Sequence, residues 1–399
     1  EDSRNQSENS LHENPAVPDS LELKTTVADS GENSYIVRDN RPILSMTNPL
    51  SRRTPANTLA VALLYVSVAT FIFIMWVWSA DTPTTAINSD PRSKLSDLIY
   101  GGAHNPYVQR VLVPVITRTL YSVLPESLWG SLTEPLRTLP KTQKEMQRLG
   151  WEQEFFPQYL IALLIAYLLV LPFPFLARRL WSLLYETEQR TSMLAGIAPL
   201  LVVPTFFPTG PHYIYDLPAL TLFTAGLVLL LERKWLWYYP LLVVGCLNKE
   251  TMVLLVFAFF FLYREYLTRF SLIMHIASHV VLFVAVKLTI VQTFAANPGP
   301  TLDFHLYGNL HRILMGYTWS ELLIAGATLF LVLHDLRAKP PALLRLALLV
   351  VPFGFLVLFF GVLPELRAVY ELVPILTFMM LHTIRFGFFK QPYAVRPYS

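Results

Sequence analysis

Long apolar runs, separated by short loops that are alternately rich and poor in basic residues, leave this chain few folds to choose from. A helix that crosses a bilayer needs roughly 20 apolar residues, or fewer where neighbouring helices shelter it. The runs lie at 58–78, 157–177, 192–209, 213–231, 235–247, 251–263, 271–295, 318–334, 343–363 and 369–384. They predict about ten passes. The fifth and sixth are short enough to form one kinked hairpin that does not fully cross. Composition agrees: 53% of the residues are hydrophobic and 15% charged, whereas a soluble domain carries about 25% charge. The fold class expected is all-α, a polytopic transmembrane bundle with a long first outer loop.

Lysine and arginine orient such a chain, because short cytoplasmic loops retain them. With the N-terminus inside, alternation places Arg52 and Arg53, Arg178 and Arg179, Arg233 and Lys234, Arg264 and Arg269, Arg337 and Lys339, and Arg385 and Lys390 in the cytoplasm. The opposite short loops hold only Lys249, Arg312 and Arg367. Both termini are then cytoplasmic. Residues 1–56, rich in Glu, Asp, Ser and Asn, read as a disordered cytoplasmic tail. Residues 57–390 form the bundle, including the outer loop 81–156, and 391–399 a second cytoplasmic tail. Within that loop, 94–124 places apolar residues at helical spacing on both sides of Gly101-Gly102. This predicts two amphipathic surface helices, followed by an irregular polar cap over 125–154.

Several functions are excluded. The net charge of +3 comes without a basic stripe interleaved with aromatics, so no nucleic-acid partner is expected. A single cysteine, Cys246, rules out an intrachain disulfide and argues against a cysteine-based zinc site. No phosphate-binding glycine loop, dinucleotide fingerprint or serine-nucleophile elbow is present. His275 and His279 stand one helical turn apart, a spacing that can ligate metal, but they read as interior polar contacts.

Four charged segments all fall on the expected outer side. In the first, Arg110 opens an amphipathic run, where a guanidinium can grip a phosphate or meet lipid headgroups. In the second, His212 and Asp216 precede the fourth run, and Asp216 suits either a helix cap or a carboxylate at a cavity mouth. Lys249 and Glu250 lie between two short runs, where an ionised side chain costs several kcal/mol unless paired. They point apart on a helix and so must pair with other elements. The fourth segment carries Glu365, Arg367 and Glu371; the last two have helical salt-bridge spacing, and Arg367 also suits a phosphate ligand.

The order "YVQRVLVP", "YIYDLPAL", "LNKET", "PELRAVYELVP" resembles bacterial multi-pass proteins of the GT-C glycosyltransferase superfamily, over roughly residues 57–390. The resemblance implies an enzyme of the bacterial inner (plasma) membrane, transferring a sugar from a polyprenyl-phosphate-linked donor to an acceptor glycan, lipid or protein on the extracytoplasmic face. It also implies a catalytic acid in the first outer loop. No acidic doublet occurs there; the separate candidates are Asp81, Asp90 and Asp97. Asp97, on the first amphipathic stretch near His104, is the acid chosen, with Asp216 as the other catalytic candidate. Arg110, His212, Lys249, Glu250, Glu365 and Arg367 are then expected to bind substrate. A divalent cation is an open cofactor. The rival expectations are a transporter or flippase for a lipid-linked or anionic substrate, and a non-catalytic subunit of an envelope assembly complex.

Overall fold

A computed structural model describes residues 55–80, 87–88, 90–209, 212–363, 365–390 and 394–395. Residues 1–54 of the expected tail at 1–56, most of 391–399, and Asp81 lie outside the described residues, as do the side chains of 366–368, Arg367 among them. The described part is almost entirely helical. In chain order the helices are α1 Pro55–Ser79, α2 Leu95–Tyr100, α3 Leu112–Val123, α4 Glu126–Arg137, α5 Pro140–Leu149, α6 Phe156–Val170, α7 Phe173–Leu184, α8 Gln189–Val202, α9 Asp216–Leu231, α10 Trp235–Asn248, α11 Leu254–Tyr263, α12 Arg269–Thr293, α13 Leu306–Met315, α14 Trp319–Leu333, α15 Pro341–Ala347, α16 Val350–Phe360 and α17 Val373–His382. A two-residue antiparallel pairing, Tyr185–Glu186 with Ala394–Val395, is the one β contact among the described residues.

Six stretches are long and apolar enough to cross a membrane, and a seventh is added if α13 and α14, bent by 99° at their junction, count as one. The expected fourth, fifth and sixth passes fall on helices of 16, 14 and 10 residues. The ten-residue helix in particular is too short to cross unaided. Helix α9 is apolar on every side and buried along most of its length, as a helix inside the bundle should be. It packs against α6, α7, α10 and α11. Apolar helices gain little from burial when lipid is the alternative, so close packing must hold them. Gly196 illustrates this: a Cβ there would lie 2.6 Å from the Tyr65 hydroxyl and 2.7 Å from the Pro174 carbonyl. Its absence lets α8 meet α1 and α7.

The loop after α1 is more ordered than its polarity suggests. The two amphipathic stretches form as expected, parted by Gly101 at φ +79°. Their apolar sides turn inward: Leu95, Leu98 and Ile99 of α2, and Val113 of α3, are buried. The stretch expected to be an irregular cap is mostly the helices α4 and α5. Its prolines misled. Pro140 takes the first turn of α5, where a missing N–H costs nothing, and α4 accommodates Pro135 in its last turn.

The basic loops meet one another. Arg179 pairs with Glu232, which also holds Lys234. Arg345 pairs with Glu265 and donates to the Tyr266 hydroxyl. Lys339 donates to the His334 carbonyl and to Thr383, and Tyr185 bonds His382. These contacts mark one end of the bundle, the basic end. The segments around Arg110, Asp216 and Lys249 meet at the other.

A buried ionic cluster at one end of the bundle

Helix α9 starts one residue earlier than a capping role for Asp216 requires. Tyr215 is the N-cap, and Asp216 is the first helical residue, 2% exposed. Its carboxylate therefore lies beside the positive end of the helix dipole. Between α10 and α11 the chain breaks: Lys249 is extended, at φ −159° and ψ 141°, and Glu250 opens a single 3-10 turn. An extended residue followed by a helical one sends consecutive side chains apart. Lys249 Nζ accordingly sits 3.1 Å from Glu371 Oε1 and 3.5 Å from Asp216 Oδ1. Glu250 turns to Arg110, with Nη2 to Oε1 at 2.8 Å. The expectation that these two residues pair with separate elements matches this arrangement.

Arg110 ties the loop after α1 to the bundle. Beyond Glu250, it donates to the Tyr215 hydroxyl and lies over the Tyr215 ring, 4.4 Å from its centroid. Tyr215 stacks on Tyr213 at 5.1 Å, and Tyr213 meets Tyr107 at 5.5 Å. Arg92 then lies over Tyr107 at 5.5 Å. Each guanidinium gains from the π face beneath it, so an aromatic file links two arginines of the loop to the start of α9. Burial opposes the charge on Arg110, but the Glu250 carboxylate outweighs it and raises the guanidinium's pKa above its already high ordinary value. Behind Arg110, Lys287 of α12 donates to Gln109 at 3.0 Å; it faces inward rather than toward the membrane surface.

Glu371 belongs to this cluster through a contact its spacing hides. It lies four residues beyond Arg367, the spacing of an α-helical ion pair, yet 366–372 winds as a 3-10 helix. In that geometry residues three apart share a face, and those four apart do not. Glu371 is fully buried and also accepts from the Thr251 hydroxyl. Its second oxygen, Oε2, and the buried Oδ1 of Asn248 find no hydrogen-bond partner among the described residues. Asn248 spends its donor on the Tyr215 carbonyl at 2.9 Å.

The residues expected to form the site therefore divide. Arg110, Asp216, Lys249 and Glu250 converge. His212 is buried nearby but contacts Ser79 Oγ at 2.9 Å, with its ring near Trp76 and Phe207; it secures the end of α1. Glu365 is half-buried at the start of the 3-10 helix, and the Arg367 side chain is not described. Asp97 is half-buried on α2, and its carboxylate makes no hydrogen bond or ion pair among the described residues. No group of three or more His, Cys, Asp or Glu side chains among the described residues converges as metal ligands, so a divalent cation finds no ready set. His275 bonds the Tyr239 hydroxyl, the interior polar contact expected, whereas His279 lies among the rings of Tyr238, Tyr239 and Phe259 and its nitrogens find no hydrogen-bond partner among the described residues. Sequence reasoning passed over Glu371 as a site residue, together with Tyr107, Tyr213, Tyr215 and Thr251. The tyrosines stand inside the segments it quoted; the partnerships run between segments far apart in the chain.

Comparison with known proteins finds no matching family model, no matching curated protein and no matching solved structure.

Proposed function

We propose that the chain is a membrane glycosyltransferase that moves a sugar from a polyprenyl-phosphate donor to an acceptor at the bundle end opposite the basic loops. The observation that carries this reading is the convergence of four distant segments on one buried ionic cluster at helix ends. Such an assembly costs too much desolvation to be a stability device, and ionisable residues at membrane depth are functional by default. The unpartnered acceptors on Glu371 and Asn248 suit sugar hydroxyls, and Arg110 and Lys249 suit a phosphate.

In this reading Asp97 is the base. Asp216 is engaged by Lys249, whereas Asp97 has no partner among the described residues. It takes the proton of the acceptor hydroxyl as the oxygen attacks the anomeric carbon. The bond from that carbon to the phosphate oxygen breaks, and polyprenyl phosphate leaves with the electron pair. Arg110 and Lys249 meet the charge that develops on the leaving group. Glu250, Asp216 and Glu371 hold the two cations in place before the donor arrives.

The experiment is transfer from a labelled polyprenyl-phosphate sugar in vesicles carrying wild type or Asp97→Asn. Loss of a general base should cost about a hundredfold or more. An unpartnered carboxylate can be changed to its amide without breaking a native contact, so the variant should fold. Full transfer by Asp97→Asn removes this residue as the base. Movement of the labelled lipid across the vesicle with no sugar transferred by wild type would replace the reading with a flippase.

A further inference from the structure

A second polar site lies away from the ionic cluster, under α13. The 99° bend between α13 and α14 sets α13 along the membrane plane if α14 crosses it. Tyr307, Leu310, Leu314 and Met315 of α13, and Trp319 at the start of α14, are exposed. A helix with such a face belongs in the headgroup layer. It is also fixed in position. Asn309 Nδ2 donates to the carbonyls of Val357, Leu358 and Gly361, and its Oδ1 accepts from the Leu363 amide. The His305 amide adds a bond to the Phe359 carbonyl at 2.8 Å. One asparagine thus satisfies carbonyls at the end of α16, which a helix terminus otherwise leaves orphaned.

The pinned helix and the segment after α16 border a half-open cavity of about 390 Å³ lined by His305, His311, Arg312 and Val362. Arg312 is shaped to face it. Gly316 makes room, because a Cβ there would lie 2.4 Å from Arg312 Cδ. One edge of the guanidinium is held by Glu321 at 2.9 Å, itself fixed by the capping box of α14. The Nε–H is buried without a partner among the described residues. A fixed guanidinium beside two imidazoles is a lining that favours phosphate. The volume exceeds that of a bare phosphate and is of ligand-site size.

We propose that this cavity seats the phosphate of an anionic membrane lipid, its acyl chains running along the exposed apolar residues of α13. The lipid is chosen over soluble phosphate because the roof of the cavity is itself a membrane-seeking helix. The site is independent of the transferase reading, and its test reads bound lipid rather than transfer.

Purified full-length protein is titrated with phosphatidylglycerol or phosphatidylcholine, and retained lipid is measured by native mass spectrometry. Wild type should retain phosphatidylglycerol preferentially. Arg312→Gln, and separately His305→Gln with His311→Gln, should each lower that retention about tenfold, the loss of one charge-assisted hydrogen bond. The histidine variant disturbs no ion pair, so it tests the site even if Arg312→Gln fails to fold. Arg118→Gln, an exposed cation on α3, should leave retention unchanged. Equal retention of the two lipids, or undiminished retention in the histidine variant, overturns the proposal. So does inorganic phosphate binding wild type as tightly as phosphatidylglycerol, which would make the cavity a free-phosphate site.

Discussion

Lys249 is 8% exposed and stands between two buried carboxylates, at 3.1 Å from Glu371 and 3.5 Å from Asp216. A buried ion pair adds little net stability, but removing one partner strands the others. Replacing Lys249 by Met should therefore cost about 3–5 kcal/mol, because two carboxylates lose the cation between them. Adding Glu371→Gln to Lys249→Met should restore part of that loss, since one stranded charge becomes a neutral amide. The measurement is the fraction of each variant that stays monodisperse after heating in detergent. A double variant no more stable than Lys249→Met would show that Glu371 and Lys249 are not coupled. None of this partnership was legible from residue spacing. Glu371 presents an α-helical i,i+4 pattern with Arg367, and only the 3-10 winding of 366–372 directs it to a lysine 122 positions away in the chain.

At the scale of elements, local period served well and composition served badly. The apolar spacing of 94–124 gave α2 and α3, and Gly101 gave the break between them. The polar run after them contains Pro125, Pro135 and Pro140 and reads as irregular, yet it is mostly helix, because proline is harmful only where a backbone N–H is needed. These helices are held by few polar contacts. Glu152 is the clearest: it pairs with Lys94 at 3.5 Å, accepts from Ser96 of α2, and accepts from the Tyr159 hydroxyl of α6. Burial pushes its carboxyl pKa up, but the Tyr159 hydrogen bond and Lys94 outweigh that and leave it below the ordinary glutamate value. A depressed folded-state pKa gives stability that is present above the unfolded pKa and is lost as pH falls through the folded one. Amides of 95–100 should thus exchange faster with deuterium as the pH drops below the ordinary glutamate range, after correction for intrinsic rates. Glu152→Gln should show the faster exchange already at neutral pH and lose the acid dependence. Acid dependence that survives in Glu152→Gln would assign the effect to another group.

At the scale of the whole molecule, the two ends differ in kind. At one, arginines and lysines of separate loops share carboxylates, carbonyls and hydroxyls: Arg179 with Glu232, Arg345 with Glu265, Lys339 with Thr383. In each of the first two pairs one partner is about half exposed and the other largely buried; solvent still screens such pairs, and topology accounts for the gathering of basic residues. At the other end the charges are mostly buried, with Glu250 half-buried, and tied to the loop after α1. The asymmetry is what retention of positive loops in the cytoplasm produces, and by that rule we propose that the ionic cluster and the α13 cavity face the extracytoplasmic side. That assignment is open to direct test, because Cys246 is buried and gives little background to a thiol reagent. Arg118 on α3 and Arg337 beyond α14 are both exposed. In intact cells a membrane-impermeant maleimide should label Arg118→Cys and reach Arg337→Cys only after the membrane is opened. The reverse pattern would turn the molecule over, moving the acceptor substrate into the cytoplasm and with it every functional assignment that depends on the side.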